Sequence, residues 1–194
     1  MKVNNFSAEI TGGRETGNGH VAMQHGSKYS IHMKNHGAVQ CDAEVTVDGK
    51  PVGEFRIRQR GSIKLERPAD DDGCFTFYAA DSEDAKSANL DSVSTDNMGL
   101  VTVVFRPEKR RTRVEQHTKS LLRSRSGPSG STVTNDSFIP GGTGLSGKSD
   151  QSFTEVAPLD YDDDGTTTIY LRLVADDGPR ELKSKPSNDI PKPV

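Results

Sequence analysis

The sequence predicts an all-β fold: an antiparallel, jelly-roll-like β-sandwich with a long irregular C-terminal extension. From residue 20 to about residue 105, apolar residues alternate with polar ones, as on strands with one buried face and one wet face. Turn residues interrupt these runs at short intervals. Short strands with frequent turns are typical of antiparallel sheets, because parallel strands need long crossover connections.

Each predicted strand is a short alternating run. Asp48-Gly49-Lys50 separates two of them and favours a tight hairpin, because Asp-Gly readily adopts positive φ angles. The polar insertion 79–99 predicts a long loop with one helical turn near residues 84–89. The alternating runs span residues 21–25, 29–33, 43–47, 52–57, 63–65, 75–77 and 101–105.

Changes in composition divide the chain into four segments. Residues 1–19 are predicted as an N-terminal arm, and residues 20–107 as the β-sandwich domain. Residues 108–153 form a basic and then Gly/Ser-rich segment, interpreted as a linker or docking arm. Residues 154–194 contain an acidic turn, a late strand at 166–175 and a Pro-containing tail.

The charge balance limits the classes of partner. The net charge is -3 and the pI is near 6.0, which argues against a general nucleic-acid or membrane binder. The start of the chain lacks the apolar core of a signal peptide, so synthesis in the cytoplasm is expected. The basic run 109–113 has no interleaved aromatic residues for base stacking. We therefore favour protein contacts for it, including pairing with the acidic stretch 154–164 of the same chain or of a neighbour.

No motif points to catalysis. The sequence contains no nucleophile elbow, phosphate-binding loop, dinucleotide-binding glycine pattern or zinc-protease helix, and we expect no enzymatic activity. Cys41 and Cys74 form no C-x-x-C pair and are interpreted as reduced, packed thiols. A thiol- or metal-dependent enzyme would require one of them to converge with a histidine.

One segment resembles the opening of a calcium loop. Residues 160–165, DYDDDG, place alternating carboxylates before a glycine. The twelfth position of an EF-hand loop, which must be a bidentate Glu, is Leu171 here, so an EF-hand is rejected. Two interpretations remain: a weaker Ca²⁺ site formed by Asp160, Asp162 and Asp164, or solvated turn carboxylates with no cofactor.

Residues 25–68 carry a resemblance to a known group of proteins. Its features are His25-Gly26, Cys41-Asp42-Ala43, Asp48-Gly49-Lys50, Val52-Gly53 and Leu65-Glu66-Arg67-Pro68, with GGTGLSGKSDQSF and TTTIYLRLV in residues 141–174. This pattern is similar to uncharacterised β-sandwich proteins associated with virus and bacteriophage particles. The resemblance implies a virion accessory or decoration role and supplies no catalytic residues.

We therefore expect a structural, capsid-associated protein that binds capsid or other virion subunits and forms a homo-oligomer or lattice on the particle. Membrane contact is not expected, and nucleic-acid contact is disfavoured. The apolar residues expected to be buried at contacts between subunits are Phe138, Ile139, Leu145, Phe153 and Val156. The alternative is a lectin-like carbohydrate-binding module, calcium-assisted at the Asp160 segment.

Overall fold

The computed structural model describes residues 1–110 and 139–176, which form twelve strands and little helix. One short helix, α1, spans Glu83–Ser87, and two 3₁₀ turns span Leu90–Ser92 and Asp163–Gly165. The strands are β1 (Lys2–Val3), β2 (Phe6–Thr11), β3 (Arg14–Gly17), β4 (His20–Met23), β5 (Ser30–Asn35), β6 (Cys41–Val47), β7 (Lys50–Ile57), β8 (Ser62–Leu65), β9 (Cys74–Ala79), β10 (Leu100–Pro107), β11 (Ile139–Ser146) and β12 (Thr167–Ala175).

These strands form two sheets, which confirms the all-β prediction. The small sheet has the order β1-β2-β5-β8. The large sheet has the order β3-β4-β12-β10-β6-β7, and β11 bonds to both β12 and β9. One pair, β4 with β12, is parallel, whereas the sequence predicted antiparallel pairing throughout. A short connection forces neighbouring strands to be antiparallel, whereas the long stretch of chain between β4 and β12 allows them to pair in parallel. Jelly-roll connectivity stays a prediction.

The prediction of an N-terminal arm at residues 1–19 is wrong. This segment forms β1, β2 and β3, and Phe6, Ala8 and Ile10 on β2 are buried in the core between the sheets. The Phe6 ring stacks on Phe105 of β10, with the ring centroids 4.7 Å apart. The first strands therefore belong to the sandwich and close one side of its core.

The Gly/Ser-rich segment is also part of the sheet where the structure describes it. Residues 139–146, predicted as linker or docking arm, form β11, which pairs with β9 from Gly141 to Ser146. A Cβ atom at Gly144 would lie 2.5 Å from Cε2 of Tyr78, so glycine leaves room for an aromatic ring on the neighbouring strand. The low-complexity composition here reflects close strand packing and not a flexible spacer.

The other boundaries have mixed outcomes. The late strand is confirmed as β12, and the helical turn in the 79–99 insertion is confirmed as α1. The sandwich does not end at residue 107, since β11 and β12 both belong to it. The rest of the basic run, the spacer and the Pro-containing tail fall in residues 111–138 and 177–194, outside the described residues.

The core lies between the sheets and follows the predicted alternation. On β6, β10 and β12 every second side chain is buried. Its largest fully buried side chains are Phe75, Phe77, Phe105, Met23, Ile31, Met33, Ile57, Leu65, Leu90, Ile169, Leu171 and Leu173.

Phe6→Ala tests the corrected position of the N-terminal segment. We expect a loss of about 3–5 kcal/mol in the free energy of unfolding, because the truncation leaves a cavity against Phe105. Chemical denaturation measures the loss. The matched control, Glu9→Ala on the exposed face of the same strand, should stay within about 0.5 kcal/mol of the unsubstituted protein. Equal, small effects of both substitutions would show that β2 is a dispensable arm.

Candidate functional site

The β6–β7 turn places a carboxylate in the interior of the fold. Asp48 and Gly49 adopt φ angles of 53° and 75°, as the Asp-Gly pair predicted. The Asp48 side chain accepts hydrogen bonds from the backbone N–H groups of Gly99 and Thr143, at 2.6 Å each. Its own N–H donates to the Leu100 carbonyl at 2.9 Å. One residue therefore joins the hairpin to β11 and to the start of β10.

Asp48 is only 6% exposed, and burial raises its pKa to about 6, although the two backbone hydrogen bonds oppose the shift. Both carboxylate oxygens are occupied by backbone donors. The residue therefore acts as an anchor between the turn and its two neighbouring segments.

A cleft of about 500 Å³ opens beside this anchor. Its apolar wall includes Val52, Phe75, Tyr78 and Leu145. The charged residues that line this acidic cleft are Asp48, Asp70, Asp71 and Asp84 against Lys50. Asp84 is also 3.1 Å from Nε2 of His25, which accepts the Ala79 N–H at Nδ1.

A second feature is an irregular segment, residues 147–161, which we call the strap. The Gln151 side chain binds β8 and the residue after it: Oε1 accepts the Glu66 N–H at 3.0 Å, and Nε2 donates to the Lys64 carbonyl at 2.6 Å. Buried Arg67 donates to the Gln151 carbonyl through Nε at 2.8 Å. The guanidinium of Arg67 also lies over the Phe153 ring, 4.7 Å from its centroid. These contacts attach the strap to the loop that follows β8.

The far end of the strap is attached on the outer face of the large sheet. Asp42, only 3% exposed, accepts two bonds from Arg56 at 2.7 and 2.8 Å and one from the Tyr161 hydroxyl at 2.8 Å. Burial raises the pKa of Asp42, but these hydrogen bonds outweigh it and hold the pKa below its ordinary value. Arg106 lies over the Tyr161 ring and pairs with Glu54. This cluster neutralises its own charges and is suited to holding the strap.

Between its two attachments the strap passes the outer edge of β7 and leaves a cavity of about 780 Å³, which we call the edge slot. Phe55, Ile63 and Phe153 form its apolar side. Residues 152–159 make a single hydrogen bond to the rest of the described chain. In it, Nη2 of Arg56 donates to the Ala157 carbonyl at 2.8 Å. The strap therefore contacts β7 through side chains and does not pair with its backbone.

The predicted contact residues have different positions. Ile139, Leu145 and Val156 are exposed by 38%, 41% and 52%. Phe153 is half-buried, with its ring packed against the core and its centroid 5.1 Å from that of Phe55, and its role in a subunit contact stays a prediction. Phe138 lies outside the described residues.

The structure does not bring Asp160, Asp162 and Asp164 together as metal ligands. No group of three or more His, Cys, Asp or Glu side chains able to hold a metal occurs in residues 1–110 and 139–176. This segment instead pairs with the start of the basic run: the Asp160 carbonyl accepts the Lys109 N–H at 2.7 Å, and the Asp162 N–H donates to the Pro107 carbonyl at 2.9 Å. The acidic and basic stretches are therefore in contact within one chain, whereas residues 111–113 lie outside the described part.

The buried thiol of Cys41 is poorly suited to act as a nucleophile. Both cysteines are free, and burial raises the pKa of Cys41 to about 12, with the Asp42 charge acting in the same direction. The sequence did not identify Arg67 and Tyr161 as the residues that position the strap, because an isolated Arg or Tyr gives no local signal of burial. Asp48 was recognised only as a turn residue, since its partners are distant in the chain.

The Asp48 pKa predicts a specific dependence of stability on pH. Its pKa is raised in the folded state, so the folded protein holds this proton after the unfolded chain has lost it. The resulting stability is complete below about pH 4 and is lost as the pH rises through about 6. As the pH rises from about 4 to about 6, deprotonation of Asp48 should lower the free energy of unfolding by an amount on the order of 2 kcal/mol.

Denaturation of the unsubstituted protein and of Asp48→Asn at several pH values checks this. Asparagine tolerates the positive φ of the turn but does not titrate. The advantage of the unsubstituted protein over the variant should shrink between pH 4 and pH 6. If the two proteins differ in free energy of unfolding by the same amount at every pH, the raised pKa of Asp48 is contradicted.

In the described residues, no helix is long and apolar enough to cross a membrane. No family model, curated protein or solved structure matches this chain.

Proposed function

We propose that this chain is a non-enzymatic structural protein, a virion- or capsid-associated decoration or accessory protein that binds neighbouring subunits through its sandwich and extended segments. The observation that carries the proposal is the exposure of Ile139, Leu145 and Val156 on β11 and the strap. Full burial of such a side chain is worth about 1.5–3 kcal/mol, so each one that a partner covers adds to the affinity.

The arrangement of the polar groups supports a structural role. Asp42, Asp48 and Arg67 are all buried, and their partners are backbone groups or opposite charges that hold strands and strap in place. Repeated copies on a particle would follow its symmetry, which favours a homo-oligomer or lattice.

A carbohydrate-binding module is a second candidate, and the acidic cleft is the observation that favours it. Its volume of about 500 Å³, the Tyr78 ring and the carboxylates on its rim suit a sugar with hydroxyl groups on one side and an apolar face on the other. Calcium has no part in this candidate, because the Asp160 segment does not assemble a metal site.

Titration calorimetry with a glycan panel tests the carbohydrate-binding candidate, and Asp71→Asn should abolish any binding that occurs in this cleft.

Ile139→Glu combined with Leu145→Glu tests the structural proposal. We expect association with gradient-purified particles from the source of the sequence to fall by about tenfold or more, because each charge opposes burial at the contact. Co-sedimentation with quantitative mass spectrometry measures this. Tyr170→Glu on β12 is the control for the added charge, since Tyr170 is also a large exposed residue, at 59%, but lies on a different strand. Absence of the unsubstituted chain from the particles, or equal losses in both variants, would contradict the proposal.

A further inference from the structure

The outer edge of β7 has an unpaired backbone. β7 is the last strand of the large sheet. Apart from the ladder with β6, two carbonyl groups of β7 have partners. The Val52 carbonyl accepts the Ala69 N–H at 2.9 Å, and the Ile57 carbonyl accepts Nδ2 of Asn35 at 3.4 Å. Among the described residues, the backbone of residues 53–56 bonds to β6 alone. Every second residue of an edge strand directs its N–H and C=O outward, so a strand-pairing surface is open here.

The edge slot is large enough for a strand beside this surface. Its lining follows β7 from Glu54 and reaches Arg58, just past the end of the strand, a length of about 13 Å at 3.3 Å per residue. Its volume of about 780 Å³ lies in the range of sites that hold ligands. The strap contacts β7 through Phe153 and the Ala157 carbonyl and leaves this space unfilled.

The two sides of the slot differ in polarity. Phe55, Ile63 and Phe153 lie toward the core, and Arg58 and Glu155 are exposed charged residues on the rim. A strand has side chains on alternating faces, so one with apolar residues on one face and polar residues on the other matches both sides at once. A compact small molecule would leave the outward N–H and C=O groups of β7 to water.

We propose that the edge slot binds one extended strand of a partner protein, which adds to the large sheet at β7 and is covered by the strap. Main-chain hydrogen bonds supply the affinity in this mode of recognition, and the alternating side-chain sites supply the selectivity. The identification of the partner as a neighbouring subunit rests on the proposed function. The ability of the slot to accept a strand does not rest on that function.

The strap has the anchors that such a clamp requires. On one side, Gln151, Arg67 and Phe153 hold it to β8 and the loop after it. On the other side, Tyr161 holds it to Asp42. The residues between these anchors are exposed and almost free of hydrogen bonds. The span over the slot can therefore shift while both ends stay attached.

Hydrogen exchange of the full chain tests the proposal with a generic strand as probe, the acetylated and amidated peptide Lys-Val-Thr-Val-Thr-Val-Lys. At about 1 mM peptide we expect exchange in the 53–58 region to slow by about tenfold. The control peptide has the same side chains and N-methylated alternate amides, so it cannot complete the ladder and should give no protection.

Two variants locate the binding. Ala69→Arg places a long side chain in the slot from an exposed position and should abolish protection without loss of folding, as judged by circular dichroism. Phe153→Ser releases one anchor of the strap and should speed peptide dissociation by about tenfold. If Phe153→Ser prevents folding, Ala69→Arg alone decides the location.

The proposal is overturned if the unmethylated peptide does not slow exchange in the 53–58 region, or if the N-methylated peptide slows it equally. It is also overturned if exchange slows only around the acidic cleft, or if the peptide protects the Ala69→Arg variant as well as the unsubstituted protein. Protection of the 53–58 region that grows with protein concentration and needs no peptide would identify a second copy of this chain as the occupant instead. Intact peptide binding with no association to particles would contradict the proposed function alone.

Discussion

The buried carboxylate of Asp48 is the interaction on which the arrangement of the large sheet most depends. It lies in a turn between two adjacent strands, yet its oxygens bond to Gly99 at the start of β10 and to Thr143 in the middle of β11. These elements come from three separate parts of the sequence. Without this carboxylate, two backbone N–H groups in the interior would lose their acceptor, and each such loss costs about 1–3 kcal/mol.

The anchor also sets the position of β11. Thr143 is held by Asp48 through its N–H and by the Tyr29 hydroxyl, 2.7 Å from its Oγ1. Strand β11 can then pair with β9 on one side and with the end of β12 on the other. Its glycines allow Tyr78 to pack against the strand, and its exposed apolar residues, Ile139 and Leu145, remain near the two ends. The proposed contact surface is therefore a consequence of the same anchor.

The strap shows how an exposed sheet edge is managed in this fold. Edge strands invite pairing with other chains, and many proteins cover them with a loop. Here the cover is attached at both ends by buried or half-buried polar groups, Arg67 and the Asp42–Tyr161 pair, and it leaves space above β7. A cover of this kind discourages uncontrolled edge-to-edge association, while it leaves a defined route for one strand.

The sequence by itself determined the all-β class, the Asp48-Gly49 hairpin, the alternation of buried residues on β6, β10 and β12, and the existence of a late strand. These features are local: period-2 patterning and turn chemistry act within a few residues. Only the tertiary structure decided that residues 6–11 are core strand, that the Gly-rich segment at 139–146 belongs to a sheet, and that Phe153 faces inward. It also decided that Asp160, Asp162 and Asp164 do not converge. The positions of residues 6–11, 139–146 and 153 depend on partners far away in the chain, Phe105, Tyr78 and Arg67, and short-range patterns carry no information about such partners.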